Sequence, residues 1–272
     1  MPSSIGEVSL AVCQVAEGLR SLKRAYDAQD DARCRELLAA LQTRLIALPT
    51  FLNPTAASPS RGEELHLARE VLELGVLVSA RGKDLAAFDR HFAQLQVYDE
   101  AGPPADPPRR ATLLGLNLLR LLVGSRVAQF HAELERLPAG PIAASPAVRF
   151  AAQLERYLME GSYNKLLTAR RQAPANEFLP VVEMLESTVR AEVANCIPHA
   201  YHELSIAAAQ TILMLRSPNE VRAIGREHGW NLAPDGKGFV FIREEDIAKK
   251  EIPFKEMINE HIQFAAELQK IV

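Results

Sequence analysis

SIAAAQTILMLRSPNEVRAIGREHGWNLAPDGKGFVFI, residues Ser205 to Ile242, is the stretch on which the fold turns. It opens with a short apolar helix pattern. A break follows, and then Ser217-Pro218-Asn219-Glu220. That is a helix start: serine at the N-cap, proline where no N–H is needed, and glutamate three residues after the serine. The pattern runs to about His228, and Gly229 can end it. Trp230 and Leu232 then alternate with polar neighbours, Pro234-Asp235-Gly236 is a turn signal, and Phe239 to Ile242 is a β-prone run. Helix, turn, capped helix and β-hairpin in so short a span predict a winged helix.

Upstream the chain is helical in period. Leu65, Ala68, Leu72, Gly75 and Ser79 fall at steps of three and four, and so do Leu85, Phe88, Phe92 and Leu95. Such one-faced helices need neighbours to cover them. The breaks share a grammar: Gly82-Lys83-Asp84, Gly124-Ser125-Arg126 and Gly161-Ser162-Tyr163. In each, glycine can supply the left-handed residue that ends a helix, and a following Asp or Ser can cap the next one. The glycines lie 42 and 37 residues apart, the length of a helix pair in tetratricopeptide-like or HEAT-like arrays. An earlier pair turns at Asp30-Asp31. Pro49 to Ser60, Ala101 to Arg110 and Pro138 to Pro146 read as loops.

Composition narrows the function. Net charge is −3, so no global field draws the chain to nucleic acid or anionic lipid. Cys13, Cys34 and Cys196 are far apart and form no C-x-x-C, as expected of small buried residues in a reducing compartment. No apolar run approaches the roughly 18 residues of a membrane span. Cytoplasm and nucleus are the expected locations.

Each catalytic or ligand-binding reading weakens on inspection. Ser162-Tyr163-Asn164-Lys165 matches S-x-x-K, but a helix corner accounts for it, and the nearest K-T-G candidate, Lys237-Gly238, lacks the threonine. His199 and His202 could share a helix face, yet no Cys or carboxylate completes a metal set. Asp235-Gly236-Lys237-Gly238 is a hairpin tip and not a phosphate loop. A winged helix can read DNA, but Arg222 and Arg226 are offset by Glu220 and Glu227. The expectation is therefore no enzyme, no cofactor, no metal and no nucleic acid.

The tail carries the clearest functional pattern. Phe254, Ile258, Ile262, Ala265, Leu268 and Val272 step at three or four, and Met257, Phe264 and Ile271 widen the face. The helix lies beyond a polar link, Glu244 to Glu251. Alone it would be marginal in water, and it can either fold back or dock into another chain's helices.

A helical-repeat arm followed by a winged helix is the PCI module, named for the proteasome lid, the COP signalosome and an initiation factor. Within that family the chain resembles the small PCI subunits of the proteasome regulatory-particle lid. The likeness rests on LLGLNLLRLL (113–122), RVAQFHAELERLP (126–138), LERYLMEGSYNK (154–165), HGW (228–230) and the closing ELQKIV (267–272). The resemblance implies an all-α fold with a small β-hairpin. Helical repeats would occupy 1–80, a PCI module 81–250 (winged helix about 205–243) and an assembly helix 251–272. It implies a non-catalytic scaffold for ubiquitin-dependent degradation, partnered by neighbouring lid PCI subunits and indirectly by the base. Phe239 and Phe241 would make a lateral contact. Phe254, Ile258, Ile262, Leu268, Ile271 and Val272 would enter a shared helical bundle. The alternatives are the small PCI subunit of the signalosome and a winged-helix nucleic-acid binder.

Overall fold

The computed structural model describes residues 3–46, 48–52, 60–101, 107–137, 140, 142–215, 217–233, 236–241 and 254–270. The polar link after Arg243, Ile242 at the end of the β-prone run, and the last two residues of the tail lie outside this set. The chain divides into two compact units, Met1–Val189 and Arg190–Val272.

The first unit is helical throughout its described elements. They are α1 (Ser3–Asp27), α2 (Asp31–Leu45), α3 (Pro49–Leu52), α4 (Arg61–Arg81), α5 (Leu85–Ala101), α6 (Pro107–Val123), α7 (Val127–Arg136), α8 (Pro146–Met159) and α9 (Tyr163–Thr168). Two 3₁₀ turns lead into α10 (Leu179–Ala200), within which the division falls. Helix α4 packs on α1 and α2 and also on α5, and α6 packs on α8. Double coverage of α4 changes its pattern. The spacing predicted one apolar face, but residues 74 to 80 are buried without a break, because Val76 and Val78 are covered as well as Leu72 and Gly75.

The helix corners correct the reading of the glycines. Gly82 keeps a right-handed backbone, and Lys83 takes the left-handed turn at φ 58°. At the second corner Ser125 does so at φ 54°; at the third it is Gly161, at φ 67°. All three use the same bond, an N–H reaching back five residues: Asp84 to Ser79, Arg126 to Leu121 and Ser162 to Tyr157. This Schellman geometry satisfies orphan carbonyls, which offsets the cost of roughly 1 kcal/mol for a left-handed non-glycine. The caps differ too. Asp84 accepts from the Ala87 amide at 3.0 Å, as expected. Ser125 is spent on the turn, and Ser162 occupies the N-cap position of α9 without a side-chain cap bond.

The loop expected over Pro49 to Ser60 begins with α3. Thr50, fully buried, donates to Glu64 at 2.6 Å, and Ser60 donates to the other carboxylate oxygen at 2.6 Å. The Tyr98 hydroxyl donates to the Phe51 carbonyl at 2.6 Å. A buried carboxylate satisfied by two hydroxyls keeps this turn closed.

In the second unit, β1 (Glu203–Ser205), α11 (Ile206–Leu213), α12 (Pro218–Glu227), β2 (Asn231–Leu232) and β3 (Gly238–Val240) form the winged helix. The sheet runs β1-β3-β2, antiparallel throughout, with Leu204 and Leu232 both opposite Phe239. The hairpin and the capped helix are as expected. Ser217 accepts from the Glu220 amide at 3.3 Å, and Ser205 caps α11 in the same way at 3.2 Å. Strand β1 is an addition. Its three residues carry a single buried side chain, Leu204, too little for a period to be seen. The tail forms α13 (Phe254–Gln269).

Candidate functional site

The winged-helix core is small and aromatic. Trp230 packs edge-on against Phe239, with ring centroids 5.1 Å apart, and against Phe241 at 5.5 Å. Leu204, Ile206, Leu213 and Val221 complete it, together with Ala194 and Ile197 from the end of α10. Gly225 permits the packing: a Cβ there would come within 2.8 Å of the Phe239 ring. Phe239 and Phe241, expected at a lateral contact, are only 3% and 7% exposed. Their side chains hold the hairpin on α12. The apolar side chain offered outward by this sheet is Leu232, 54% exposed on the edge strand β2. Its alternation with Trp230 was visible in the sequence. Which of the two would be covered was not, because it depends on where Phe239 and Phe241 lie.

The tail helix presents the opposite situation. Every described residue from Phe254 to Lys270 is exposed. At 100° per residue, Phe254, Met257, Ile258, Ile262, Phe264, Ala265 and Leu268 share an arc of roughly 160°, with His261 and Gln269 among them. Phe254 is 65% exposed and Ile262 61%. Lys255, Glu256, Glu260 and Glu267 occupy the other side. Of the tail residues expected at a partner, Phe254, Ile258, Ile262 and Leu268 lie on this one uncovered face; Ile271 and Val272 lie outside the described residues. Burying six such side chains would be worth on the order of 10 kcal/mol before ordering costs.

The Lys165 ammonium lies over the Tyr157 ring, 5.6 Å from its centroid, and Ser162 sits at the start of α9. Among the described residues no group of three or more His, Cys, Asp or Glu could hold a metal ion, and no helix is long and apolar enough to cross a membrane. On α12, Arg222 and Arg226 are exposed together with Glu220 and Glu227, so that helix presents both signs.

Comparison with known proteins places these elements in a family. The family model described as CSN8/PSMD8/EIF3K matches residues 108–251. The 26S proteasome non-ATPase regulatory subunit 8 homolog A of Arabidopsis thaliana is 35% identical over 268 residues, covering 95% of this chain and 98% of its own. The 26S proteasome regulatory subunit rpn12 of Schizosaccharomyces pombe is 32% identical, over 79% of this chain and 77% of its own. The corresponding subunit RPN12 of Saccharomyces cerevisiae is 26% identical, over 79% and 81%.

Proposed function

Because the chain belongs to the CSN8/PSMD8/EIF3K family, we propose that it is a structural subunit of the 26S proteasome lid, one that joins other subunits and performs no chemistry of its own. The observation that carries this reading is the end-to-end likeness to a relative named as a proteasome regulatory subunit, 35% identical over 95% of the chain. The fold supports it, since repeats, winged helix and tail provide surfaces on which other subunits can pack. The process served is ubiquitin-dependent protein degradation, in cytoplasm and nucleus.

In this role the chain falls into N-terminal repeats (1–80), a PCI module (81–250) and an assembly helix (251–272). Its partners are neighbouring PCI subunits of the lid and, indirectly, the base; nucleic acid and membranes are not among them. The face of Phe254, Ile258, Ile262 and Leu268, continued by Ile271 and Val272, enters a helical bundle with other subunits. The hairpin makes the lateral contact. Phe239 and Phe241 hold it in shape from beneath, and Leu232 is the side chain it offers.

The test is affinity purification from cells of the tagged full chain and of a chain ending after Glu251, with mass spectrometry of what co-elutes. Lid and base subunits should accompany the full chain, and base subunits should be lost with the tail. Recovery of signalosome subunits instead, or of neither complex, would reject the assignment.

A further inference from the structure

One titratable side chain interrupts the apolar face of the tail. Counting 100° per residue, His261 lies within about 20° of the middle of the arc. The residues one turn to either side of it, Met257, Ile258, Phe264 and Ala265, are all apolar. The charged residues of α13 point elsewhere. Glu260 is about 100° away round the helix axis, Lys255, Glu256 and Glu267 are further, and Lys270 lies past the helix end. Gln269, the other polar member of the arc, sits in the last turn and does not titrate.

His261 is exposed in the free chain, so water solvates either form of its ring. Docking changes this. A side chain in the middle of an apolar face loses water when that face is covered. Moving a charged imidazolium out of water is penalised, and no carboxylate of its own helix is placed to compensate it. A neutral imidazole needs only one donor and one acceptor opposite.

We propose that docking of the tail is proton-linked through His261: the helix enters the bundle with this ring neutral, and acidification releases it. The proposal rests on the reading of the tail as a bundle element. The docked state binds fewer protons than the free one, so docking is at full strength above the pKa of the free ring and weakens as pH falls below it. A histidine in water titrates at about 6.5, so this one group should lower the affinity about tenfold between pH 7.5 and 5.5. Assembly would then respond to pH with no covalent change in the chain.

The experiment titrates the immobilised full chain with proteasome particles from cells depleted of this subunit, at pH 7.5 and at pH 5.5, and reads the apparent affinity. Other groups at the contact titrate too, so the comparison is with His261→Gln, which keeps a polar side chain and has no proton to gain. The parent should bind more weakly at the lower pH. Whatever the affinity of the Gln variant at pH 7.5, its loss on acidification should be about tenfold smaller than the parent's. His261→Lys, charged throughout, should bind weakly at both. Because His261 is exposed, the circular dichroism of the variants should match the parent. Equal losses in the parent and the Gln variant would overturn the proposal. So would a parent that gains affinity on acidification relative to that variant, as it would if the ring met a partner carboxylate. No binding at either pH would reject the proteasome reading itself, and the proposal with it.

Discussion

His91 on α5 is buried, with both ring nitrogens engaged. The Ser79 hydroxyl already donates to the Gly75 carbonyl at 2.7 Å, so the proton on His91 Nδ1 must be the one shared with Ser79 Oγ at 3.0 Å. That leaves Nε2 to accept from the Gln42 amide at 2.7 Å. The ring is satisfied when neutral, and protonation would set its new N–H against the N–H of Gln42. Burial lowers its pKa from 6.5, Arg90 lowers it further, and Asp84 and the Gly75 backbone oppose weakly. With the folded pKa depressed, this group's contribution is fully present above the unfolded value and is lost as pH falls through the folded one. Thermal unfolding from pH 7.5 to 5 should show stability falling below about pH 6.5, and that part of the fall should be missing in His91→Gln. Ser79 was legible as a member of an apolar stripe. Its bond to His91 was not, because Gln42, Ser79 and His91 meet only when α2, α4 and α5 are packed.

At the scale of the element, the tail is where spacing in the sequence told most. Its apolar face follows from steps of three and four alone, with no knowledge of neighbours. Since every described residue of that face is exposed, it contributes little to the stability of the free chain. Ile258→Asp together with Ile262→Asp should leave the unfolding transition of the purified protein nearly unchanged, within about 0.5 kcal/mol. The same pair should abolish recovery of proteasome subunits from cells. A melting curve beside a co-purification separates the two effects. Helix ends were harder to read. Gly82 and Gly124 marked the corners correctly in position, but Lys83 and Ser125 take the left-handed turn. Glycine tolerates that conformation; it does not compel it, and the backbone bond five residues back decides where the turn falls. Strand β1 and the exposure of Leu232 were likewise set by tertiary pairing with β3.

For the molecule as a whole, the charge balance of −3 and the mixed signs on α12 predict weak polyanion binding. The purified chain should leave a heparin column at or below roughly 0.15 M salt; retention well beyond that would restore the nucleic-acid reading. Winged helix, repeats and tail could each be named from the sequence, whereas a cleft that opens between α5, α6 and α7 could not. Asp89 on α5, Asn117 on α6 and Arg126 at the N-cap of α7 line it together, and nothing in their spacing says that they converge. The unbroken burial of residues 74 to 80 in α4 has a consequence for how this protein can vary. An ordinary surface helix leaves every third or fourth position open to substitution, and its record of tolerated change shows a rhythm. Here almost two full turns have no permissive side, so beyond Ser79, whose hydroxyl is bonded to Gly75 and His91, a polar side chain has nowhere to point. Sequence drift in this subunit would have to pass around α4, accumulating on the outer helices while the centre stays silent.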